Sequence, residues 1–280
     1  MSPELRLRIA SAVVLAAVAL AATWFGGLAF TLFAIAIALL IFYEWSTITG
    51  HAPFDRYTLF GWAGVLLVLA QLLLDGARQG ALLSLYLLVG FTVVTALIAA
   101  IRSKSYWLAG GVFYAGLSGI SLAALRGSDT DGLITILLIF AVVWATDIMA
   151  YFVGRAIGGP KLAPPISPGK TWSGAIGGTF FGVIAGCVVV WLAGENLSAW
   201  HFLITAVLSI GSQIGDLFES FIKRRFGVKD SSRLIPGHGG VMDRVDGLVF
   251  ACFLAFLVGL AMAAANGWLA TAPSELISGI

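Results

Sequence analysis

Charge is what this sequence has least of. Of its 280 residues only 11% are Asp, Glu, Lys or Arg, while 60% are hydrophobic. A soluble globular domain carries roughly 25% charged residues, so a soluble fold is excluded and a polytopic membrane protein is expected. Cysteine is nearly absent as well: Cys187 and Cys252 are the only two, both inside apolar runs and far from any CxxC spacing. That excludes a disulfide framework and a thiolate metal site, and both thiols read as small buried hydrophobes. No internal repeat, long linker or low-complexity tail marks off a separate module, and no nucleic-acid partner is expected.

What is present is apolar length. A spanning helix needs about 20 apolar residues, and nine stretches qualify: 7–24, 28–48, 57–75, 81–101, 106–125, 132–153, 174–194, 199–222 and 246–266. The first follows Arg6 and Arg8 but is separated from the second only by Trp-Phe-Gly-Gly, so a retained helical hairpin is expected rather than a signal peptide. The fold class is therefore all-α, an integral membrane protein of about nine helices. With a cytoplasmic N-terminus, fourteen of the sixteen Lys and Arg residues fall on the cytoplasmic side, leaving only Arg78 and Arg126 outside. That asymmetry satisfies the positive-inside rule. It also puts the two largest polar loops, 154–173 and 223–245, on one face, where they can build one site. Residues 1–130 read as packing helices that can include dimer contacts, and 131–280 as the catalytic region.

The N-terminal half has few polar groups within its spans. Glu44 and His51 at one helix end, and Asp75 and Arg78 at the opposite one, read as interfacial. Trp24, Tyr43, Trp45, Tyr106 and Trp107 fall near helix ends as aromatic anchors. Gly174, Gly178, Gly182 and Gly186 repeat every four residues along the seventh span. They permit close approach of another helix, within one chain or between chains.

Chemistry concentrates in Ser220–Asp246, which holds six basic residues, Lys223, Arg224, Arg225, Lys229, Arg233 and Arg244, and the aspartates Asp230, Asp243 and Asp246. Concentrated cations beside carboxylates at a membrane surface suit a phosphate-rich ligand and a divalent metal. Asp216, Glu219, Ser220 and Lys223 share one face of the eighth helix, with Asp216 about 10 Å along the axis from Lys223. A carboxylate there needs a partner: either a metal, or a lysine in an internal ion pair, which is equally open for Glu219 with Lys223. Asp243 and Asp246 lie three apart at the start of the ninth helix. Asp216 and Asp243 on neighbouring helix ends can supply the one or two carboxylates that Mg²⁺ commonly takes, and a two-metal clamp is a further option. The alternative is that Asp243 and Asp246 only cap the helix or offset Arg244. The Pro236-Gly237-His238-Gly239-Gly240 turn offers backbone amides leading into a helix N-terminus, which suits a phosphate.

A second wall comes from Asp147, Tyr151 and Arg155, which follow one face of the sixth helix, and from Ser167-Pro-Gly-Lys-Thr-Trp-Ser-Gly. There Lys170 and Thr171 precede a helix N-terminus. The glycine spacing and flanking strand of a Walker A loop are absent.

Ser220 through Asp246 resembles the signature of CDP-diacylglycerol synthases, the phosphatidate cytidylyltransferases. Ser220, Lys223, Arg224, Lys229, Asp230, Ser232, Ile235, Pro236, His238, Gly239, Gly240, Asp243, Arg244 and Asp246 fill its specified positions. The similarity extends to Gly215-Asp216-Leu217, to Asp147 with Tyr151 and to Ser167–Gly174. The family loop often reads S-P-K-K-T-W-E-G, so Gly169 and Ser173 depart from it; Lys170 and Thr171 remain the stronger site residues.

The resemblance implies that CTP and phosphatidic acid give CDP-diacylglycerol and pyrophosphate in a Mg²⁺-dependent step, with one or two metal ions and a monovalent cation left open. It implies a metal set of Asp216, Asp243 and Asp246, with Lys223 and Arg244 beside them as catalytic residues. Substrate contacts would come from Lys170, Thr171, Ser167, Ser220, Arg224, Lys229, Asp230, His238, Gly239, Gly240, Asp147 and Tyr151. It also favours a homodimer in the lipid bilayer of the inner membrane. Two other readings remain: a CTP-dependent kinase of polyprenol or phytol, and a transporter. A transporter tends to show repeats and midplane polar groups, whereas here the polar groups gather on one face.

Overall fold

The computed structural model describes residues 3–52 and 54–265. Among them are nine helices long and apolar enough to cross a membrane: α1 (Pro3–Phe25), α2 (Gly27–Ile48), α3 (Arg56–Leu74), α4 (Ala81–Ile101), α5 (Trp107–Arg126), α6 (Thr130–Ile157), α7 (Trp172–Leu192), α8 (Ala199–Arg225) and α9 (Met242–Ala265). All nine expected spans are present, and the chain is an all-α polytopic membrane protein, with one short β-hairpin among the described residues. Three helices run further than hydropathy suggests. α6 continues through Arg155, α8 through Lys223, Arg224 and Arg225, and α9 starts early enough to include Asp243 and Arg244. At 1.5 Å per residue α8 is about 40 Å long, more than a bilayer core of about 30 Å requires. Polar residues thus ride on rigid helix rather than on loop.

The described residues divide into two compact units: those of 3–128 together with Phe226–Arg244, and Asp129–Arg225 with 245–265. The segment 226–244, expected to group with the C-terminal helices, joins the first unit because α2 takes its hydrogen bonds, as described below.

In the first unit α5 is the central helix, packed by α2, α3 and α4. Small residues make this possible. A Cβ at Gly111 would overlap Trp45, one at Gly116 Leu88, and one at Gly119 Leu69. α1 is different, since its apolar face is scarcely covered by protein, and it is held chiefly near its ends. At its C-terminus the buried Arg126 donates from Nε to the Thr23 carbonyl at 2.6 Å and from Nη2 to that of Trp24 at 3.3 Å. These carbonyls lack intrahelical partners, and a cation there also complements the helix dipole. Arg126→Ala leaves them without that donor. It is expected to cost about 2 kcal/mol, read as a lower unfolding midpoint in detergent, with Arg126→Lys falling between. An unchanged midpoint for Arg126→Ala would remove this account of how α1 is held.

His51, read as interfacial, lies just past α2, where Thr49 Oγ1 and His51 Nδ1 are hydrogen-bonded at 2.9 Å. Burial lowers the imidazole's pKa from its ordinary value. Trp45 is likewise more than an anchor, buried with Nε1 donating to the Trp107 carbonyl at 2.7 Å.

In the second unit α7 lies against α6 and α8, and the four-residue glycine stripe is the reason. A Cβ at Gly174 would sit 2.6 Å from the Ala150 carbonyl oxygen and one at Gly178 2.8 Å from that of Thr146. One at Gly182 would strike the Thr146 hydroxyl and one at Gly186 the Thr205 methyl. The close approach is therefore made inside the chain. Thr146 and Ser209 hydroxyls bond to each other at 2.7 Å beside Gly182.

Candidate active site

The 154–173 connection is not an open loop. After α6 ends at the Gly158 cap, β1 (Lys161–Ala163) and β2 (Ser167–Thr171) form an antiparallel hairpin, with Lys161 opposite Thr171 and Ala163 opposite Ser167. β2 runs directly into α7. Thr171 caps that helix, its Oγ1 accepting from the Gly174 amide at 3.1 Å. The Ser173 hydroxyl donates to the Gly158 carbonyl and is 3.0 Å from Thr171 Oγ1. Ser173, a departure from the family pattern, thus ties the start of α7 to the end of α6. Gly169 has open space around it. Ser167 opens β2, and the Lys170 ammonium, next to the cap, forms an ion pair with Asp216 Oδ2 of α8.

Asp216 stands in a cluster. Asp147 of α6, Asp216 of α8 and Asp246 of α9 are near enough to interact electrostatically with one another, and Lys170 with all three. Two glycines beside these aspartates let α8 and α9 meet. A Cβ on Gly215 would lie 2.6 Å from the Asp246 carbonyl oxygen, and one on Gly247 3.1 Å from that of Ser212. The Gly-Asp of α8 and the Asp-Gly of α9 are thus reciprocal, each glycine making room for the other helix. Asp246 Oδ1 accepts from the Gly247 amide at 2.8 Å, and Ser220 Oγ lies 3.4 Å from Asp216 Oδ1. Three carboxylates against one ammonium leave an excess of negative charge. That suits a hard divalent cation, with Lys170 as the cation now balancing part of it. Among the described residues no group of three or more His, Cys, Asp or Glu side chains meets the geometry of a metal site; Mg²⁺, often held by one or two carboxylates plus substrate phosphates, does not require one.

The remaining second-unit residues are placed as follows. Glu219 is buried, with Oε2 2.5 Å from Lys223 Nζ, so the internal ion pair is what the structure shows for this residue. Arg224 Nε lies 3.4 Å from the Ile166 carbonyl oxygen, at the hairpin. Tyr151 is exposed, its hydroxyl accepting from Arg155 Nη1 at 2.8 Å.

The first unit holds the other half of the expected set. Lys229, Asp230 and Arg244 are exposed. The glycine-rich turn closes on itself, Ile235 N donating to Gly239 O at 2.8 Å and His238 N to Ile235 O at 3.0 Å. Gly239 has φ +83°, and a Cβ there would sit 2.6 Å from Asp243 Oδ2. His238 Nδ1 is 2.8 Å from Ser11 Oγ of α1.

Amides at and around the turn hold the protein's own anions here, the Gly240 amide of the expected phosphate site among them. Gly240 N donates to Asp243 Oδ2 at 2.8 Å and Ser231 adds its amide at 2.8 Å, while the Ser231 hydroxyl, 2.9 Å from the same oxygen, shares its one proton between Asp243 and Glu44. Val241 N donates to Glu44 Oε1 at 2.8 Å and Met242 N to Glu44 Oε2 at 2.7 Å. Ser232 Oγ and Ser231 Oγ complete the pattern, at 2.6 Å to Oε1 and 2.9 Å to Oε2. Glu44 is 0% exposed, which corrects its reading as an interfacial residue. The sequence signal is a carboxylate near the end of an apolar helix; what it bonds to lies at the far end of the chain.

Comparison with known proteins gives the family of the chain. Residues 6–262 match the model of the cytidylyltransferase family. The chain belongs to that family. This cytidylyltransferase is 51% identical over 259 residues to the phosphatidate cytidylyltransferase of Brucella abortus (strain 2308), covering 91% of this chain and 93% of the relative. It is 34% identical over 284 residues to that of Haemophilus influenzae, covering 88% and 96%. The cytidylyltransferase match spans both units, so the N-terminal helices are part of the family pattern.

Proposed function

We propose that this cytidylyltransferase moves the cytidylyl group of CTP onto phosphatidic acid, giving CDP-diacylglycerol and pyrophosphate. The observation that carries the reading is the cluster of Asp147, Asp216, Asp246 and Lys170 at polar helix ends, in a chain whose long relatives bear the name phosphatidate cytidylyltransferase. A phosphate oxygen of phosphatidate attacks the α-phosphorus of CTP, the α–β anhydride bond breaks, and pyrophosphate leaves in line. Such a transfer asks the protein for positioning and charge neutralisation. Asp216 and Asp246 would hold Mg²⁺ with Asp147 alongside. The ion would supply charge neutralisation on the triphosphate. Lys170 neutralises phosphate, its ammonium exchanging its carboxylate partner for substrate. Lys223, Arg224, Lys229 and Arg244 are assigned the same chemistry. Asp243, the third expected ligand, has the organising of the 231–240 turn as its supported role.

The orientation that puts this chemistry on the cytoplasmic face of the inner membrane is supported by the fourteen-to-two distribution of basic residues. It suits a reaction whose nucleotide arrives from water and whose lipid arrives from the leaflet. A homodimer belongs to the same proposal and gets no help from the α7 glycines, which are already covered by α6 and α8. Purified protein with cytidine-labelled CTP, phosphatidate and Mg²⁺ is expected to yield lipid-soluble cytidine label and pyrophosphate in equal amounts. Release of CDP with a phosphorylated lipid alcohol would overturn the proposal in favour of a lipid kinase.

A further inference from the structure

We infer that Glu44 is a positioning residue for the transfer reaction, its carboxylate setting the geometry of the 231–242 segment and the start of α9. The inference rests on the function proposed above. Glu44 lies in the last turn of α2, wholly buried, and accepts four hydrogen bonds between 2.6 and 2.9 Å, two on each oxygen. A buried carboxylate at this depth is expensive unless its oxygens are satisfied and a positive field offsets its charge. Both conditions are met by the first amides of α9, where the helix dipole favours an anion.

The arrangement ties together parts of the sequence that Asp243 also joins, through Ser231 and Gly240. The segment from Lys229 to Gly240 has only short turns of its own, and Ser231 and Ser232 are held at one end of it while Val241 and Met242 are held at the other. Asp243 closes the segment from within, and Glu44 adds the bonds that fix it, together with the first amides of α9, to the end of α2. The start of α9 determines the rotation of Asp243, which shares Ser231 with Glu44, and of Arg244 next to it, one of the cations assigned to the substrate phosphates. Gly240 confirms how tight the fit is, since a Cβ there would overlap both Ser231 Oγ and the Glu44 carboxylate. Glutamine at position 44 keeps the shape but turns an NH₂ toward a hydroxyl and a backbone N–H. Aspartate keeps both acceptor oxygens on a side chain shorter by one methylene.

The test compares Glu44→Gln, Glu44→Asp and Ser232→Ala with the unaltered full-length protein in detergent. Three readouts are taken: the unfolding midpoint, kcat and KM for CTP, and amide hydrogen exchange across 231–242. Glu44→Gln is expected to lower kcat about 100-fold, the scale of a misplacement of about 1 Å, with KM changed much less and faster exchange at Val241 and Met242. Glu44→Asp recovers part of kcat, and Ser232→Ala, which removes one bond of the four, falls nearer the unaltered protein. Should Glu44→Gln fail to fold, Ser232→Ala and Glu44→Asp carry the test. Normal kcat in the folded protein for all variants, or exchange at Val241 and Met242 unchanged in Glu44→Gln, overturns the inference. If the unaltered protein itself forms no CDP-lipid, the proposed function fails instead, and the exchange data alone decide whether Glu44 holds the segment.

Discussion

Asp216→Asn is expected to lower the rate of cytidylyl transfer by about 10³-fold, close to 4 kcal/mol of barrier. The substitution keeps side-chain volume and removes one of three negative charges that share a single ammonium, so folding should be nearly undisturbed while the cluster's capacity for a divalent cation drops. Because Asp216 is also paired with Lys170, the loss has two competing explanations, and the double variant separates them. If Asp216 served only to neutralise Lys170, then Asp216→Asn/Lys170→Met would regain the activity of Lys170→Met. If Asp216 holds the cation, the double variant stays as inactive as Asp216→Asn. Ser220→Ala is the calibration: its hydroxyl is 3.4 Å from Asp216 Oδ1, a weak bond at best, and a loss of no more than about threefold is expected. Steady-state rates at saturating CTP and a Mg²⁺ titration read all four proteins. Retention of more than a tenth of the activity by Asp216→Asn would remove it from the metal set.

How much of this the sequence showed depends on how local each feature is. The helices were legible because a spanning segment must satisfy its own backbone and be apolar over about 20 residues, and those rules act within a single stretch of chain. Asp216 stands out because a carboxylate in such a stretch needs a reason, Asp246 because it lies three residues from Asp243 at a helix start, and Asp147 because it shares a face with Tyr151 and Arg155. The gathering of these three with Lys170 depends on packing, and the Gly215 and Gly247 notches that bring α8 and α9 together read in sequence as ordinary glycines. The 161–171 hairpin was missed because strands of three and five residues carry too little alternation to signal themselves.

Glu44 marks where sequence reasoning stops for a different reason. Its partners lie 187 to 198 residues away, so no spacing rule connects them. Its local context, an acidic residue at the end of an apolar helix, is also that of many solvated interfacial groups. The turn at 236–240 raises the same difficulty. Its sequence offers amides to an anion, and what the structure adds is two carboxylates of the protein itself, Asp243 on the Gly240 amide and Glu44 on the Val241 and Met242 amides just beyond the turn. A glycine-rich turn announces donors and does not announce the acceptor.

Leucine at position 182 is expected to prevent the second unit from packing. The ideal Cβ of Gly182 already meets the Thr146 hydroxyl, with Ser209 Oγ at 3.1 Å and the Val142 carbonyl oxygen at 3.2 Å. These neighbours belong to two different helices, and they are bonded to each other through Thr146 and Ser209. A longer side chain therefore cannot be relieved by moving one helix without stretching or breaking that bond, and in lipid an abandoned hydroxyl finds no water to replace it. Overpacking usually costs about 1–3 kcal/mol; with a buried polar pair disrupted as well, Gly182→Leu should lose on the order of 4 kcal/mol. That is a large part of a typical domain's stability of about 5–15 kcal/mol. The expected readout is a sharp fall in monodisperse protein on size-exclusion chromatography, with Gly182→Ala intermediate. Gly169→Ala, in open space on β2, should stay within about 0.5 kcal/mol of the unaltered protein. Equal midpoints for Gly182→Leu and Gly169→Ala would mean that α7 is not clasped by α6 and α8, and the placement of Lys170 and Thr171 ahead of it would lose its physical basis.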